Sequence, residues 1–435
     1  MRRVYSADWV LPVEGAAIEN GAVAVEEGRI AAVGRAAELG AGERFEGAAI
    51  VPGFVNAHSH LEYAVYAGFG DGLAFAPWIA LHIERKARIG MEEMTAIARL
   101  GALECLRSGI TTTADYSYSG AAALAAADLG LRAVVYLEVF GEDPGAALAH
   151  FERAREHVEP ALSERVAIGI SPHAPYSCSL EVFEACAGLG LPVGTHLAES
   201  PAEQEWLVHG SGPMAALAHM YVQPRGETGI RSLAREGLLG SGLLAAHCVH
   251  VDAAEIDLLA EHDVAVAHCP RSNALLGCGV APVADLLAAG VRVGLGTDSP
   301  ASTPSFDAFE EQRAAVFAAR ARAQDPGALS ADLALELATL RAARALALDA
   351  YVGSLVPGKR ADLAVVSLER SAYLPWEEPG PAVVFGGSPD RVLLTVVDGT
   401  ERYRKGSEEW QELIAAARSA RGRLLRSAVA APEPA

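Results

Sequence analysis

The feature that most limits the fold is an alternation repeated through residues 51–352. Eight short apolar runs, most of them ending in polar residues, are separated by long Ala- and Leu-rich stretches. The runs are IVPGFVNAHSH, GITTTADYS, RAVVYLEVF, RVAIGISPHAPYS, LPVGTHLAES, GLLAAHCVH, DVAVAHCPRSN and RVGLGTDSPAS. Between them, segments 91–108, 145–157, 179–190, 253–262 and 282–290 have helical character. Strands that are apolar throughout and alternate with helices belong to a parallel sheet covered on both faces. Eight such units point to an α/β fold, a closed (β/α)8 TIM barrel. A doubly wound open sheet is the alternative. No Gly-x-Gly-x-x-Gly follows the first strand, so a dinucleotide site is not supported.

The chain ends have a different texture. Residues 1–50 carry the short alternating runs RVYSADWVLP, GAVAVEEGRIAAVG and AAIVPG between Gly-rich turns, and predict a small antiparallel sheet. Residues 353–405 return to that pattern with GSLVPGKRADLAVVSL, PAVVFGG and RVLLTVVDGTERYRKG, all read as strands. The simplest account is one small β-sandwich domain built from both ends beside the barrel. Residues 406–435 read as a C-terminal helix over 407–427, acidic at its start and basic at its end as the helix dipole favours, then a frayed tail, AVAAPEPA.

Composition narrows the function classes. With a formal net charge of −20, the chain is a poor partner for nucleic acid or anionic membrane. At 435 residues and 51% hydrophobic it can build a large core, yet no apolar run approaches the length of a membrane span. No signal peptide is evident, and the six cysteines include no Cys-x-x-Cys pair. The expectation is a cytoplasmic protein with reduced thiols.

In such a barrel the active site lies at the C-terminal ends of the strands. His58 and His60 end the first run and, two apart in an extended chain, share a face. His173 ends the fourth, His196 the fifth with Glu199 close behind, His247 the sixth, and Asp298 the eighth. A lone histidine at a strand end is usually a packed or rim residue. Five of them converging with an aspartate instead suggest a divalent metal held by imidazoles and a carboxylate. Ser200-Pro201-Ala202-Glu203 reads as a helix start, which leaves Glu199 just before the cap and free to face the mouth. In the loop after the first strand, Phe69, Phe75 and Trp78 either wall a pocket for a flat heterocycle or pack the loop onto the barrel. His250 and His268 are assigned to packing or to supporting the ligand residues, and the cysteines to packing.

These motifs together resemble the amidohydrolase superfamily, in its branch of adenosine- and cytosine-type deaminases and triazine hydrolases. The similarity rests on PGFVNAHSH, SPHAPYSCS, THLAES, AHCVH, GTDSPAS and GSLVPGKRADLAVV, and spans nearly the whole chain. It implies that His58, His60, His196 and Asp298 hold one divalent metal, Zn2+ first and Fe2+ as an equal fit to the ligands. It implies that Glu199 shuttles protons, that His247 and Asp298 orient and polarise water, and that His173, with Trp78, contacts a small heterocyclic substrate. Binuclear members carry a lysine in the strand-four motif; VAIGISPHAPYS has none, so a single metal is expected. The implied reaction is hydrolytic removal of the 6-amino group of an adenine-type nucleoside. HSHLEY, GLAFAPWI and HLAESPAEQEWLVHGSGP look most like aminodeoxyfutalosine deaminases of menaquinone synthesis. The alternatives are a methylthioadenosine/S-adenosylhomocysteine deaminase, another heterocycle aminohydrolase or chlorohydrolase (triazine, pterin, guanine, cytosine), or an inactive binding or structural subunit. The resemblance also allows a homodimer.

Overall fold

The computed structural model describes residues 2–40, 42–407 and 410–426; the tail AVAAPEPA and the ends of the 407–427 helix reading lie outside them. The N-terminal strands are β1 (Arg3–Val10), β2 (Ile18–Glu19), β3 (Gly21–Glu26), β4 (Arg29–Arg35) and β5 (Glu43–Pro52). After Gly53 come β6 (Phe54–Ser59), β7 (Ile110–Ser117), β8 (Arg132–Val139), β9 (Val166–Pro172), β10 (Val193–Leu197), β11 (Leu243–His247), β12 (Ala265–His268) and β13 (Arg292–Leu295). They pair in that order, each parallel to the next. A bridge between Ser59 and Asp298, with the Asp298 amide donating to the His58 carbonyl at 2.9 Å, brings the last strand against the first. The eight parallel strands thus form a nearly closed (β/α)8 barrel, its strands falling on the eight apolar runs.

The intervening helices start where side chains can cap them. Asp143, Ser179, Ser200, Thr228, Asp252, Asp307 and Ser330 each accept an amide of the helix they precede. Inside the barrel, Val55, Ala57, Ala114, Val134, Leu244, Ala265 and Ala267 pack around Tyr116 and Tyr136. Tyr116 donates its buried hydroxyl to the Leu244 carbonyl at 2.9 Å. Gly194 makes room for that ring, since a Cβ there would lie 2.7 Å from it. Large rings fit because their neighbours are small.

The chain ends complete one mixed sheet with β14 (Leu363–Ser367), β15 (Val392–Val397) and β16 (Thr400–Arg404), in the order β16-β15-β14-β5-β1-β3-β4, with β2 on β1. It is not purely antiparallel as expected: β1 and β5 are parallel, because the β2–β4 excursion returns the chain in the direction it left. The β3–β4 end reaches back to Arg360 through a bridge at Arg29, so Val23, Val25 and Ile30 share a core with Leu394 and Val396. The buried Arg132 at the start of β8 pairs with Asp362 at 3.2 Å and with Asp398, tying this sheet to the barrel.

One segment corrects the sequence reading. PAVVFGG is not a strand; it lies in the helix Pro379–Gly386. A short apolar run has no periodicity that separates strand from buried helix. Here Pro379 at the first turn presets a helical φ, and Val383 and Val384 are buried against barrel helices. The C-terminal helix runs Gln411–Leu425 and packs on the helix Met91–Arg107. Among the described residues no helix is long and apolar enough to cross a membrane.

Candidate metal centre and catalytic pocket

Burial is nearly complete at the barrel mouth, so each polar group there must be accounted for. Asp115 on β7 accepts from the Leu61 amide at 2.7 Å and the Ser59 hydroxyl at 2.8 Å, fixing the chain where β6 delivers its histidines. His60 donates from Nδ1 to the Tyr116 carbonyl at 2.7 Å, and His196 from Nδ1 to the His173 carbonyl at 2.9 Å. Their Nε2 atoms then carry lone pairs, and these face one another at 3.2 Å. Burial first, then the His58 charge, pushes His60 down to about 3; burial, then His173, pushes His196 well below its ordinary value. Neither ring holds a second proton at neutral pH, so the pair cannot hydrogen-bond.

His58 is fully buried and neither of its ring nitrogens has a hydrogen-bond partner among the described residues. Its Nε2 lies 3.6 Å from Asp298 Oδ1, which is also 3.6 Å from His60 Nε2. Ligand atoms of His58, His60 and His196 fall within 4.8 Å of one another, and those of His58, His247 and Asp298 do the same. Gly296 permits this approach of β13 to β6: a Cβ there would sit 2.7 Å from that of His58. Asp298 Oδ2 accepts from Ser272 at 2.6 Å and Ser302 at 2.9 Å, and Oδ1 from the Ser299 amide at 2.7 Å. Burial opposes its charge, but the facing His58 imidazole, then His247 and His60, hold it well below the carboxylate range. Converging lone pairs and an ionised carboxylate, oriented by outer hydrogen bonds, fit a divalent cation.

Glu199 and His247 stand beside this cluster. His247 donates from Nδ1 to Asn273 Oδ1 at 3.0 Å, which leaves its buried Nε2 without a partner, 3.7 Å from Glu199 Oε1. Burial lowers His247 to about 4 and raises Glu199 well above the carboxylate range, with Asp298 adding to the latter. Burial thus favours the protonated form of Glu199, and His247 offers a lone pair at neutral pH. Ser200 caps the helix Pro201–His209 as the sequence predicts. Glu203 reaches back to accept the Ala198 amide at 2.9 Å and the Glu199 amide at 2.7 Å, so it aims Glu199. Ala198, His247 and Asp298 all have left-handed φ, at 53°, 76° and 56°. Such strain in non-glycine residues collects at functional sites.

A cavity of about 900 Å³, counting its open mouth, lies over these groups. His173 lines it and gives Nδ1 to Ser177 at 2.7 Å; Trp78 and Phe75, from the helix Phe75–Lys86, form an apolar wall. Phe69 is not part of that wall. Its ring is held between the Arg85 and Arg421 guanidinium groups, 3.8 and 4.5 Å from its centroid. His250 packs through its Nε2 against the Cys278 carbonyl at 2.6 Å. Sequence reading passed over Lys86 and Glu138, both on the cavity wall. Glu138, His173 and His196 also cluster within 4.8 Å, but His196 is shared with the first group and gives its Nδ1 to the His173 carbonyl, so the trio has no ligand set of its own.

A model of the amidohydrolase family matches residues 49–402. The chain belongs to the amidohydrolase family. It is a hydrolase acting on carbon–nitrogen bonds. It is 34% identical over 410 residues to a 5'-deoxyadenosine deaminase of Methanothermobacter thermautotrophicus, covering 91% of this chain and 92% of that protein. It is also 34% identical over 446 residues to a 5-methylthioadenosine/S-adenosylhomocysteine deaminase of Symbiobacterium thermophilum, covering 98% and 99%. Among solved structures, an adenosine deaminase from Xanthomonas campestris with bound zinc superposes with a TM-score of 0.86 at 30% identity, covering 97% and 98%. A zinc-complexed atrazine chlorohydrolase from Arthrobacter aurescens shares the fold, with a TM-score of 0.83 at 24% identity over 96% and 99%.

Proposed function

We propose that this amidohydrolase removes the 6-amino group of a 5'-deoxy or 5'-thio-substituted adenine nucleoside, releasing ammonia and the hypoxanthine nucleoside. The observation that carries this reading is the buried Glu199–His247 pair, 3.7 Å apart beside the histidine and aspartate cluster, where burial favours the neutral form of each. The relatives named for 5'-deoxyadenosine and methylthioadenosine/S-adenosylhomocysteine support this substrate class over the aminodeoxyfutalosine reading of the loop motifs.

His58, His60, His196 and Asp298 would hold the metal, with zinc favoured by its presence in the similar adenosine deaminase. A divalent metal so bound supplies a water of lowered pKa. The rest of the chemistry belongs to side chains. Trp78 and Phe75 seat the flat ring, and His173, anchored by Ser177, contacts it. Glu199 gives its proton to a ring nitrogen, which leaves C6 electrophilic. His247 and Asp298 take up a proton from the attacking water and aim its oxygen at C6. Glu199, now a carboxylate, takes the proton of the new C6 hydroxyl and delivers it to the amine; the C6–N bond breaks, ammonia leaves, and the proton held by His247 and Asp298 restores Glu199.

The test is ammonia release by metal-loaded protein on a panel of 5'-deoxyadenosine, methylthioadenosine, S-adenosylhomocysteine, adenosine, aminodeoxyfutalosine, guanine, cytosine and a chlorotriazine. Preference for 5'-deoxy or 5'-thio nucleosides is expected. Preference for aminodeoxyfutalosine would restore the loop-motif reading, and turnover of the triazine alone would reject adenine-nucleoside deamination.

A further inference from the structure

Two charged groups on the pocket wall have no role in the steps above. Glu138, near the end of β8, is 3% exposed and lines the cavity, yet no hydrogen bond or ion pair among the described residues reaches its carboxylate. Lys86 closes the helix Phe75–Lys86 and also lines the cavity. Its Nζ sits 3.5 Å from the centre of the Tyr118 ring and 5.8 Å from that of Tyr63, with no carboxylate of the described residues within 4.0 Å. Each is the other's leading charged neighbour, but they do not touch.

Burial pushes the Glu138 carboxyl up to about 8 against the pull of the nearby Lys86, and a sequestered acid and amine left without hydrogen-bond partners are costly, unless a ligand completes them. A ligand that draws the pair into its charged form must donate to Glu138 and accept from Lys86. The adenine ring cannot do both here: beyond its 6-amino group, held at the reacting centre, it offers only acceptors. A hydroxyl does both at once, and two adjacent hydroxyls can bridge a carboxylate and an ammonium that stand apart.

We propose that Glu138 and Lys86 bind the ribose hydroxyls of the substrate and so position its base against Glu199. The inference rests on the adenine-nucleoside reading and deepens it. It makes the pair positioning residues that discriminate ribosides from deoxy analogues.

The experiment compares a 5'-deoxy adenine riboside with its 2'- and 3'-deoxy and dideoxy analogues, using wild type, Glu138→Gln and Lys86→Met, all metal-loaded. Calorimetric binding of inosine gives a readout independent of turnover. Wild type is expected to lose roughly 10- to 100-fold in kcat/KM for each missing hydroxyl, as for hydrogen bonds to charged groups. In both variants that preference should largely vanish and inosine binding should weaken, with metal content and melting temperature kept. Lys86→Met, at a partly exposed helix end, carries the test if Glu138→Gln folds poorly. Variants that keep the full hydroxyl preference would overturn the inference, as would a Lys86→Met loss confined to substrates with an acidic 5' group. Turnover by wild type without any hydroxyl preference would overturn it alone. Failure of wild type to deaminate any adenine nucleoside would overturn the functional reading first, and this inference with it.

Discussion

Replacing Glu203 with alanine isolates the group that aims Glu199, the proposed proton donor. In the folded protein its carboxylate accepts the Ala198 amide at 2.9 Å and the Glu199 amide at 2.7 Å, with all three residues buried. Glu203→Ala leaves two buried N–H groups unpaired, at about 1–3 kcal/mol each, so about 2–6 kcal/mol in all. For 435 residues the unfolding entropy is on the order of 0.9 kcal/mol per kelvin, and the melting temperature should fall by about 2–6 °C.

The loss should depend on pH. Burial raises Glu203 from 4.5 to about 7, with its three amide neighbours working against the rise. Between those values the folded state holds a proton the unfolded state has released, so wild-type stability falls as pH rises through this window. The span corresponds to on the order of 3 kcal/mol, a cost the alanine variant lacks. Glu203→Ala is therefore expected to be most destabilised near pH 5 and much less so by about pH 8. Thermal unfolding at both pH values measures this, and ammonia release should show kcat falling more than KM rises, because Glu199 loses its aim. Unchanged melting at both pH values, or a wild-type kcat, would refute the reasoning.

Two further outcomes follow from the geometry. Asp298→Ala removes a carboxylate that faces both His58 and His60, so metal content and rate should fall together; elemental analysis after dialysis decides, and normal metal content would contradict ligation. Arg421 stacks on Phe69 and donates to the Val65 and Ala67 carbonyls, tying the C-terminal helix to the loop that leads to Trp78 and Lys86. Arg421→Ala should raise KM several-fold, on the order of 1 kcal/mol for a partly exposed stacked arginine, with metal content unchanged; an unaltered KM would separate that helix from the pocket.

Much of this site was legible because a barrel gathers strand ends. His58, His60, His196, His247 and Asp298 each stand at or just past the end of an apolar run, and the fold brings them to one mouth. Ser200 and Glu203 could be read as a helix start from local chemistry, but not that Glu203 holds the Glu199 amide. Lys86 was hidden as one basic residue among several in a helix, where only the tertiary fold decides which faces the cavity. Glu138 left a trace that went unused: a single acid inside the buried run RAVVYLEV, where burial of a charge calls for a partner. PAVVFGG misled because its length fits either element. Phe69 stayed open between pocket wall and loop packing because an aromatic in a mouth loop can do either, and here it packs between two arginines.

The central claim is that Glu199 serves as the proton carrier of a metal-dependent nucleoside deaminase, and Glu199→Gln tests it most directly. The measurement is ammonia release from 5'-deoxyadenosine by wild type and variant, with metal content and melting temperature determined on the same samples. The account expects ammonia from wild type, and a variant that keeps its metal and its fold while kcat falls by about 100-fold or more, the scale of a lost general acid–base. A metal-replete variant with near-wild-type kcat would contradict it.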